Sequence, residues 1–449
     1  CISQPTPAPT VAIRAVSTSL PALTNTPTLI AKPVTCADLD TAWNAANWLT
    51  TLQTIDQLQA TGLTCGENSL DAKRYAAHIN YAVALENAGN TETAIAQYQA
   101  ALAINGRGAE ALNALIRLKA LPTPTTPPCN PGTLELYTSS TTIAKSFVIV
   151  NGEQLSVNGE PFFIRGLNYY PRHAPWDRFL TDGDLTEIEQ EFDLIEAAGF
   201  NTLRIFLWYD PLFTCAPEDA VPNPAAFLKL DKIIALASER NLRLIFTLND
   251  LPDLLFRPLY TDFARYDAQT AFIANRYRDE AAVLAWDLRN EGDIDYGAHP
   301  GFPKSFEQDV VLLWLKHVTE IVRANAPHHL ITAGWWGNAA DTVEVADVLS
   351  FHHWTTPFEL SARIESLKAM SAKPILVEEL GYSSWGDRGE AGQAQALGDA
   401  IAIAEKSGIA GWLVWTAFDF TPPAGQPPNI EHFFGLWRAD LTPKPALEV

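Results

Sequence analysis

Basic residues are scarce in this chain of 449 residues, which has 31 Lys and Arg against 52 Asp and Glu and a formal net charge of −21. Because phosphate binding needs a basic surface, we do not expect a nucleic-acid partner, and docking on anionic lipid by charge alone is disfavoured. The sequence also lacks an apolar run of the roughly 20 residues that a membrane-spanning helix needs. Neutral ligands remain compatible with this surface.

Cysteines are few as well: Cys1, Cys36, Cys65, Cys129 and Cys215. None belongs to a Cys/His cluster with zinc spacing, so we expect no metal site. Without Cys1 their number is even, which favours two disulfides in an oxidising compartment over four buried thiols. Three pairings are possible. We favour Cys36–Cys65, across one helical hairpin, and Cys129–Cys215, which would join a linker to the following domain.

The chain starts with Cys1 and continues into a stretch rich in Pro, Thr and Ala. A cysteine before such a spacer resembles a processed bacterial lipoprotein, in which that cysteine carries the lipid. We therefore expect residues 1–35 to be a disordered tether, and the protein to be extracellular or on the cell surface, with membrane attachment only through Cys1. The alternative is a chain boundary that falls on a cysteine by chance.

Residues 36–120 are rich in Ala and Leu and have helical periodicity, which predicts a small all-α domain. Small residues and one aromatic residue have the spacing of a tetratricopeptide repeat: Ala82, Gly89, Ala94, Tyr98 and Ala101. Because a peptide-binding groove usually needs three or more repeats, we expect a spacer or a module that docks another protein. A Pro/Thr-rich linker is predicted at 121–135.

Residues 136–449 alternate short apolar strands with amphipathic helical segments, after a β-hairpin predicted around Asn158-Gly159. Eight strands are predicted, at 162–168, 201–207, 242–248, 283–288, 329–334, 347–352, 374–379 and 409–415. Buried parallel strands alternating with helices over this length predict an α/β fold of the (β/α)₈ TIM-barrel type, with an open doubly wound sheet as the alternative. The short interval between the fifth and sixth strands leaves room for only a short helix.

Carboxylates stand where two of these strands end. The fourth strand is followed by Asn290 and Glu291, and the seventh ends in Glu378 and Glu379. Barrel enzymes carry their catalytic groups at the carboxyl ends of strands. Two carboxylates that flank one position suit glycosidic cleavage, in which one group protonates the leaving oxygen and the other attacks the anomeric carbon.

Residues 145–449 resemble glycoside hydrolase clan A and, within it, family 5, which contains endo-β-mannanases and endo-β-glucanases. The motifs that carry the resemblance are Asn290-Glu291 and Glu379-Leu380-Gly381. The resemblance implies a retaining mechanism in which Glu291 is the acid/base and Glu379 is the nucleophile. It implies neither a metal nor an organic cofactor. Glu378 is interpreted as a supporting residue.

The resemblance also implies substrate-binding residues. Arg204 is similar to an arginine that helps to keep the nucleophile ionised, and Asn290 to an asparagine that contacts the sugar 2-hydroxyl. His352 and Trp354 match a His-x-aromatic motif, and Trp415 matches a tryptophan that stacks under the sugar. Weaker candidates for sugar contacts are Trp208, Trp335 and Trp336. Two departures from the family pattern are Gly292, where proline is usual, and the absence of an aromatic residue in TLNDLPD after the third strand.

These features predict a secreted, retaining β-glycoside hydrolase that cleaves a β-linked polysaccharide or oligosaccharide, with β-1,4-mannan ahead of β-1,4-glucan. One alternative is an exo-acting β-glycosidase or a transglycosylase on the same barrel. Another is a non-catalytic carbohydrate-binding lipoprotein of the cell surface. The distance between the two predicted catalytic carboxylates distinguishes a retaining enzyme from a non-catalytic protein, because the retaining mechanism needs them roughly 5–5.5 Å apart.

Overall fold

The computed structural model describes residues 34–61, 65, 69–104, 109–118, 120, 132–138, 146–251, 254, 257–299, 304–422 and 427–449. Contacts within the chain define two compact units, Cys1–Leu70 and Asp71–Val449. Most of the predicted tether at 1–35 and most of the predicted linker at 121–135 lie outside the described residues. The domain boundaries expected from composition remain predictions. None of the helices described is long and apolar enough to cross a membrane.

The first unit contains two helices, Cys36–Asn44 and Trp48–Thr61. Thr35 begins the first of them with a capping box, in which its side chain and that of Asp38 satisfy backbone N–H groups. A disulfide joins Cys36 to Cys65, which confirms the predicted pair. Cys215 of the second unit is also disulfide-bonded. Its predicted partner, Cys129, lies outside the described residues, so that pairing stays a prediction.

Three helices begin the second unit, and their bounds are Leu70–Asn87, Thr91–Ile104 and Ala109–Arg117. Ala82, Ala94, Tyr98 and Ala101 are buried in a small apolar core that these helices share. Gly89 has a φ of +79° in the turn between the first two, a conformation that glycine adopts without strain. The predicted helices are therefore present, while their assignment as a tetratricopeptide repeat remains a prediction.

A three-stranded antiparallel sheet follows, formed by Ile149–Asn151, Gln154–Val157 and Glu160–Phe162. The loop of its second hairpin is Asn158-Gly159, as predicted, and both residues have positive φ, 54° and 84°. Two-residue hairpin loops favour this geometry because it matches the twist of the strands. Leu155 of this sheet packs in one apolar cluster with Ile164 and Leu413. The small sheet therefore covers the amino-terminal end of the larger sheet described next.

Eight parallel strands form the main sheet. They are β1 (Ile164–Tyr169), β2 (Thr202–Phe206), β3 (Arg243–Thr247), β4 (Val283–Asp287), β5 (Leu330–Thr332), β6 (Leu349–His353), β7 (Ile375–Leu380) and β8 (Gly411–Val414). Their spatial order is β5-β4-β3-β2-β1-β8-β7-β6, and a parallel bridge between Trp335 and Phe351 joins the two outer strands. This arrangement confirms the predicted (β/α)₈ barrel and its eight strands.

Helices surround the barrel between its strands. The longer ones are Leu185–Ala197, Pro224–Glu239, Asp267–Arg276, Gln308–Asn325, Pro357–Met370 and Gly389–Lys406, and two single turns are Phe179–Asp182 and Tyr209–Leu212. Asp184 and Asn223 begin two of them by accepting hydrogen bonds from backbone N–H groups of the first turn. Only a 3₁₀ turn, Ala339–Thr342, lies between β5 and β6, as the short interval predicted.

A buried ion pair ties the carboxyl-terminal segment to the loops at the top of the barrel. Lys444 Nζ lies 2.7 Å from Asp419 Oδ1, and the two side chains are 1% and 9% exposed. The same ammonium group donates to Ser384 Oγ at 3.1 Å and to the carbonyl oxygen of Phe433 at 3.3 Å. One lysine therefore connects the loop after β7, the loop after β8 and the end of the chain.

Replacing this lysine by an apolar side chain of similar length should destabilise the protein. In Lys444→Met the Asp419 carboxylate stays buried without its counter-ion, so we expect the free energy of unfolding to fall by about 3–5 kcal/mol. Chemical denaturation of the variant measures this loss. Lys406→Met, at an exposed position, is the control and should change little. A loss below about 1 kcal/mol in Lys444→Met would show that the pair contributes no more than a surface contact.

Candidate active site

The two predicted catalytic glutamates meet at the carboxyl end of the barrel. Glu379 is the fifth residue of β7, and Glu291 lies four residues after the end of β4. One carboxylate oxygen from each, together with a ring nitrogen of His352, lies within 4.8 Å of the others. His352 Nδ1 is 2.9 Å from Glu291 Oε1 and 3.4 Å from Glu379 Oε2. The distance of at most 4.8 Å between an oxygen of Glu291 and one of Glu379 is close to the carboxylate separation in retaining glycosidases, roughly 5–5.5 Å.

The backbone at Glu291 explains the departure from the family pattern at the next position. Glu291 has a φ of 48° and a ψ of 39°, in the left-handed region. A proline at 292 would push the residue before it towards extended backbone, so this conformation excludes the usual Asn-Glu-Pro sequence. Gly292 also fits because a Cβ there would lie 2.8 Å from the Arg289 side chain. The turn that places the acid/base candidate therefore depends on glycine.

Arg204 of β2 is the centre of the hydrogen-bond network beneath the two glutamates. Its guanidinium is fully buried and donates to Glu379 Oε1 at 2.5 Å and to Asn168 Oδ1 at 3.0 Å. It also donates to Asp287 Oδ2, at 2.6 and 3.1 Å, and to Asn290 Oδ1 at 2.8 Å. Bonds from a charged donor favour the ionised form of a carboxylate. Arg204 therefore lies within hydrogen-bonding distance of the predicted nucleophile, while its role remains a prediction.

Asp287 is a member of this network that sequence reasoning missed. It ends β4, is fully buried, and accepts hydrogen bonds from Thr247 Oγ1 at 2.7 Å and from the backbone N–H of Gly334 at 2.9 Å in addition to those from Arg204. The available signal was an aspartate inside the apolar run VLAWDL. A buried carboxylate needs a cationic partner, and Arg204, in another apolar strand, had the same need.

Glu378 adds a third carboxyl group to the surroundings of one guanidinium. It is fully buried, and its Oε1 lies 3.8 Å from Arg204 Nε. Neither of its oxygens has a hydrogen-bond partner among the residues described. The nearby Ser350 hydroxyl donates its hydrogen to the carbonyl oxygen of Ala333. Burial, with a smaller contribution from Asp287, raises the pKa of Glu378 to about 8, against the attraction of Arg204. Burial therefore favours a proton on Glu378 near neutral pH.

The environments of Glu379 and His352 differ from that of Glu378. Burial raises the pKa of Glu379, as does the charge of Glu291, while the bond from Arg204 opposes the shift. Burial and the charge of Arg204 hold the pKa of His352 well below its usual range, so its ring is neutral. A Cβ at Gly334 would lie 2.8 Å from His352 Nε2 and 2.9 Å from Glu378 Oε2. Glycine at this position therefore leaves room for the neutral ring beside both predicted catalytic carboxylates.

Asn290, the predicted contact to the sugar 2-hydroxyl, is held from both sides. Its amide oxygen accepts from Arg204, and its amide nitrogen donates to Asp250 Oδ1 at 2.9 Å. Asp250 also accepts from the hydroxyl of Tyr170 at 2.8 Å, which in turn accepts from Trp208 Nε1 at 3.0 Å. Asp250 was not predicted. The segment after the third strand thus places a carboxylate beside the site where an aromatic residue was expected from the family.

Aromatic rings form one wall of the site. Trp415 follows β8 directly and is 9% exposed, and the indole of Trp354 lies edge-on to it with centroids 6.4 Å apart. Gly381 permits this packing, because a Cβ there would lie 2.6 Å from the Trp354 ring. The weaker candidate Trp335 is fully buried, and its backbone joins β5 to β6, so it packs in the core and is not a sugar contact. Trp336 is half-buried and packs against His299.

Among the residues that the structure describes, Glu291, His352 and Glu379 form a group that could hold a cation. Each offers one ligand atom, and these atoms lie within 4.8 Å of one another. A cation bound there would occupy the atoms predicted to carry out proton transfer and nucleophilic attack. The site thus suits a reacting group placed between two carboxylates.

The chain is similar to several known proteins. The family model for cellulase (glycosyl hydrolase family 5) matches residues 155–417. A mannan endo-1,4-β-mannosidase A of Hypocrea jecorina is 24% identical over 254 residues, which are 50% of this chain and 54% of that protein. A mannan endo-1,4-β-mannosidase A of Aspergillus aculeatus is 22% identical over 66% of this chain and 88% of its own length. The chain thus spans only about half of the Hypocrea protein.

Solved structures with the same fold include a GH5_18 protein of Streptomyces cattleya in complex with GlcNAc, with a TM-score of 0.56 and 21% identity over 64% of this chain and 78% of that chain. An exo-β-1,4-mannosidase of Opitutaceae bacterium strain TAV5 has a TM-score of 0.53 and 20% identity over 64% of this chain and 58% of that chain. At these identities the likeness shows the fold alone.

The pKa of Glu378 has a consequence for stability. Its folded-state pKa of about 8 exceeds the ordinary value of 4.5, so the unfolded chain loses this proton first and stability falls as pH rises between these values. Glu378→Gln removes this cost. The quantity to follow is the free energy of unfolding of Glu378→Gln minus that of the wild type. We expect this difference to increase by at least about 1 kcal/mol between pH 4.5 and pH 8.

Urea denaturation at pH values across this interval measures the effect. Glu365→Gln, at an exposed position of the helix Pro357–Met370, is the matched control and should show no such trend. A difference between Glu378→Gln and wild type that stays constant with pH would mean that Glu378 is ionised in the folded protein.

Proposed function

Because the chain belongs to glycosyl hydrolase family 5, we propose that it hydrolyses a β-linked glycan by a retaining double displacement. One observation carries the proposal: a carboxylate oxygen of Glu291 and one of Glu379 lie within 4.8 Å of each other. Glu291 follows β4 and Glu379 lies in β7, at the same end of the barrel. Two carboxylates at this spacing leave room for an anomeric carbon but not for an additional water molecule between them.

Glu379 is the nucleophile in this proposal. Its bond with Arg204 holds the carboxylate in place and favours the ionised form that can attack. In the first step a Glu379 oxygen bonds to the anomeric carbon, while protonated Glu291 gives its proton to the departing glycosidic oxygen. In the second step ionised Glu291 takes a proton from water, whose oxygen bonds to the anomeric carbon and releases Glu379.

His352 positions the acid/base in this scheme. A neutral imidazole with its proton on Nδ1 can donate to Glu291 Oε1, 2.9 Å away, once that carboxylate has lost its proton in the first step. The bond would steady Glu291 in the form that accepts a proton from water. Asn290 and Trp415 contribute sugar contacts, with the amide directed by Arg204 and Asp250 and the indole ring lying under the sugar.

For the substrate we propose β-1,4-mannan ahead of β-1,4-glucan, since the relatives reported above are named mannan endo-1,4-β-mannosidases. Exo action is the second candidate, favoured by the likeness in fold to an exo-β-1,4-mannosidase. The composition of residues 36–120 supports one further proposal, the docking of another protein on the helical segment.

Release of reducing sugar from a panel of polymers tests the function. The panel contains β-mannan, glucomannan, carboxymethyl cellulose, mixed-linkage glucan and xylan, with Glu379→Ala and the exposed-site control Glu365→Ala beside the wild type. We expect release from the mannans by wild type and Glu365→Ala, and a loss of at least about a thousandfold in Glu379→Ala. Activity on manno-oligosaccharides but on no polymer would favour exo action, and no activity on either would contradict the proposal.

The role of Glu291 can be tested separately through the leaving group. Glu291→Ala lacks the proton donor, so hydrolysis of substrates with poor leaving groups should slow about a hundredfold to ten-thousandfold. Formation of the covalent intermediate from an activated aryl glycoside should be much less affected, because a phenolate with a low pKa departs without a proton. Pre-steady-state release of the phenol measures that step. Equal losses on both substrate types would argue against the acid role.

A further inference from the structure

An exposed tryptophan outside the predicted site lies on the same end of the barrel. Trp385 is 45% exposed and stacks on Phe433, with ring centroids 4.7 Å apart and an interplanar angle of 27°. Because Phe433 covers one face of the ring, the exposed surface of Trp385 lies on the ring edges and the opposite, open face. Single exposed apolar residues are ordinary on protein surfaces, so exposure alone carries no meaning. The stacking is what distinguishes Trp385, because it holds a flat apolar face in one orientation.

The backbone that carries these two rings is held by hydrogen bonds. The backbone N–H of Trp385 donates to Ser383 Oγ at 3.2 Å, and that hydroxyl donates to the carbonyl oxygen of Ile430 at 3.0 Å. The N–H of Ser384 donates to the carbonyl oxygen of Phe433 at 2.9 Å, and Lys444 bonds to both of these residues. A ring that stacks on its neighbour and is carried by backbone held in this way loses little conformational entropy when a ligand binds. This favours a binding role for Trp385.

The pair is connected to the catalytic residues by short stretches of chain and by ring contacts. Trp385 is six residues beyond Glu379, so their Cα atoms are at most about 22 Å apart. Phe433 adjoins Phe434, whose ring lies 5.6 Å from that of Trp354 beside Trp415. A short oligosaccharide can span such a distance. The aromatic side chains thus continue from the bond-cleaving centre towards the loops after β7 and β8.

We propose that Trp385, backed by Phe433, is a sugar-binding platform that holds a unit of the β-linked substrate chain remote from the bond that is cleaved. The C–H face of a pyranose is apolar and flat, which suits the open face of an indole, and a neutral sugar is compatible with the acidic character of the protein. The inference rests on the proposed glycan hydrolysis. It adds that affinity depends on the length of the substrate as well as on the sugar at the catalytic centre.

Substrates of two lengths test the platform. We expect Trp385→Ala to lower kcat/KM on mannohexaose about tenfold, because a stacked aromatic contact is lost, and to change kcat/KM on an aryl β-mannobioside less than twofold. Trp385→Phe should recover part of the loss. Phe358→Ala removes an exposed aromatic residue that stacks on no other ring of the residues described, and it should affect neither substrate.

Calorimetric titration of mannohexaose into Glu379→Ala, with and without Trp385→Ala, tests binding without turnover. A weaker affinity in the double variant supports the platform, and thermal unfolding shows whether the loop has kept its stability. Equal losses on the long and the short substrate, or an unchanged affinity for mannohexaose, would overturn the inference while leaving hydrolysis intact. A wild type inactive on both substrates, with no affinity for mannohexaose in Glu379→Ala, would instead contradict the proposed function.

Discussion

The site depends on one buried guanidinium. Arg204 donates to Glu379, Asp287, Asn290 and Asn168, which belong to or directly follow β1, β4 and β7. A charged group without exposure to water is tolerated only when its hydrogen bonds and its charge are satisfied. Meeting these needs brings the ends of several strands into one arrangement. The nucleophile candidate and the predicted sugar contact therefore share a donor, and a change in the position of either affects the other.

Charge around Arg204 is as important as geometry. Asp287 and Glu379 bond directly to the guanidinium, while Glu378 lies 3.8 Å from it and is the carboxyl group whose pKa reaches about 8. Three ionised carboxylates around one cation would leave uncompensated charge in the interior. A proton on Glu378 relieves this. Two adjacent glutamates thus have different contacts with the same cation, because only Glu379 bonds to it directly.

The loops above β7 and β8 form the remaining wall of the site, and they depend on the end of the chain. Lys444 connects them through Ser384, Asp419 and the carbonyl oxygen of Phe433. Both Trp415, under the proposed catalytic subsite, and Trp385, the proposed remote platform, stand on these loops. Rings held in place favour recognition of a sugar chain, and the buried ion pair fastens both loops to the last residues of the sequence.

The sequence by itself determined the eight strands, the Asn158-Gly159 turn and the two catalytic candidates, because apolar runs that end in carboxylates and two-residue turns are local patterns. Only the tertiary structure showed the roles of Asp287 and Asp250, since their partners are distant in sequence. It likewise separated Glu378 from Glu379. The pairing of β7 shifts register at these residues, so both glutamates lie near Arg204, and only the folded barrel shows that Glu379 is the one that bonds to it.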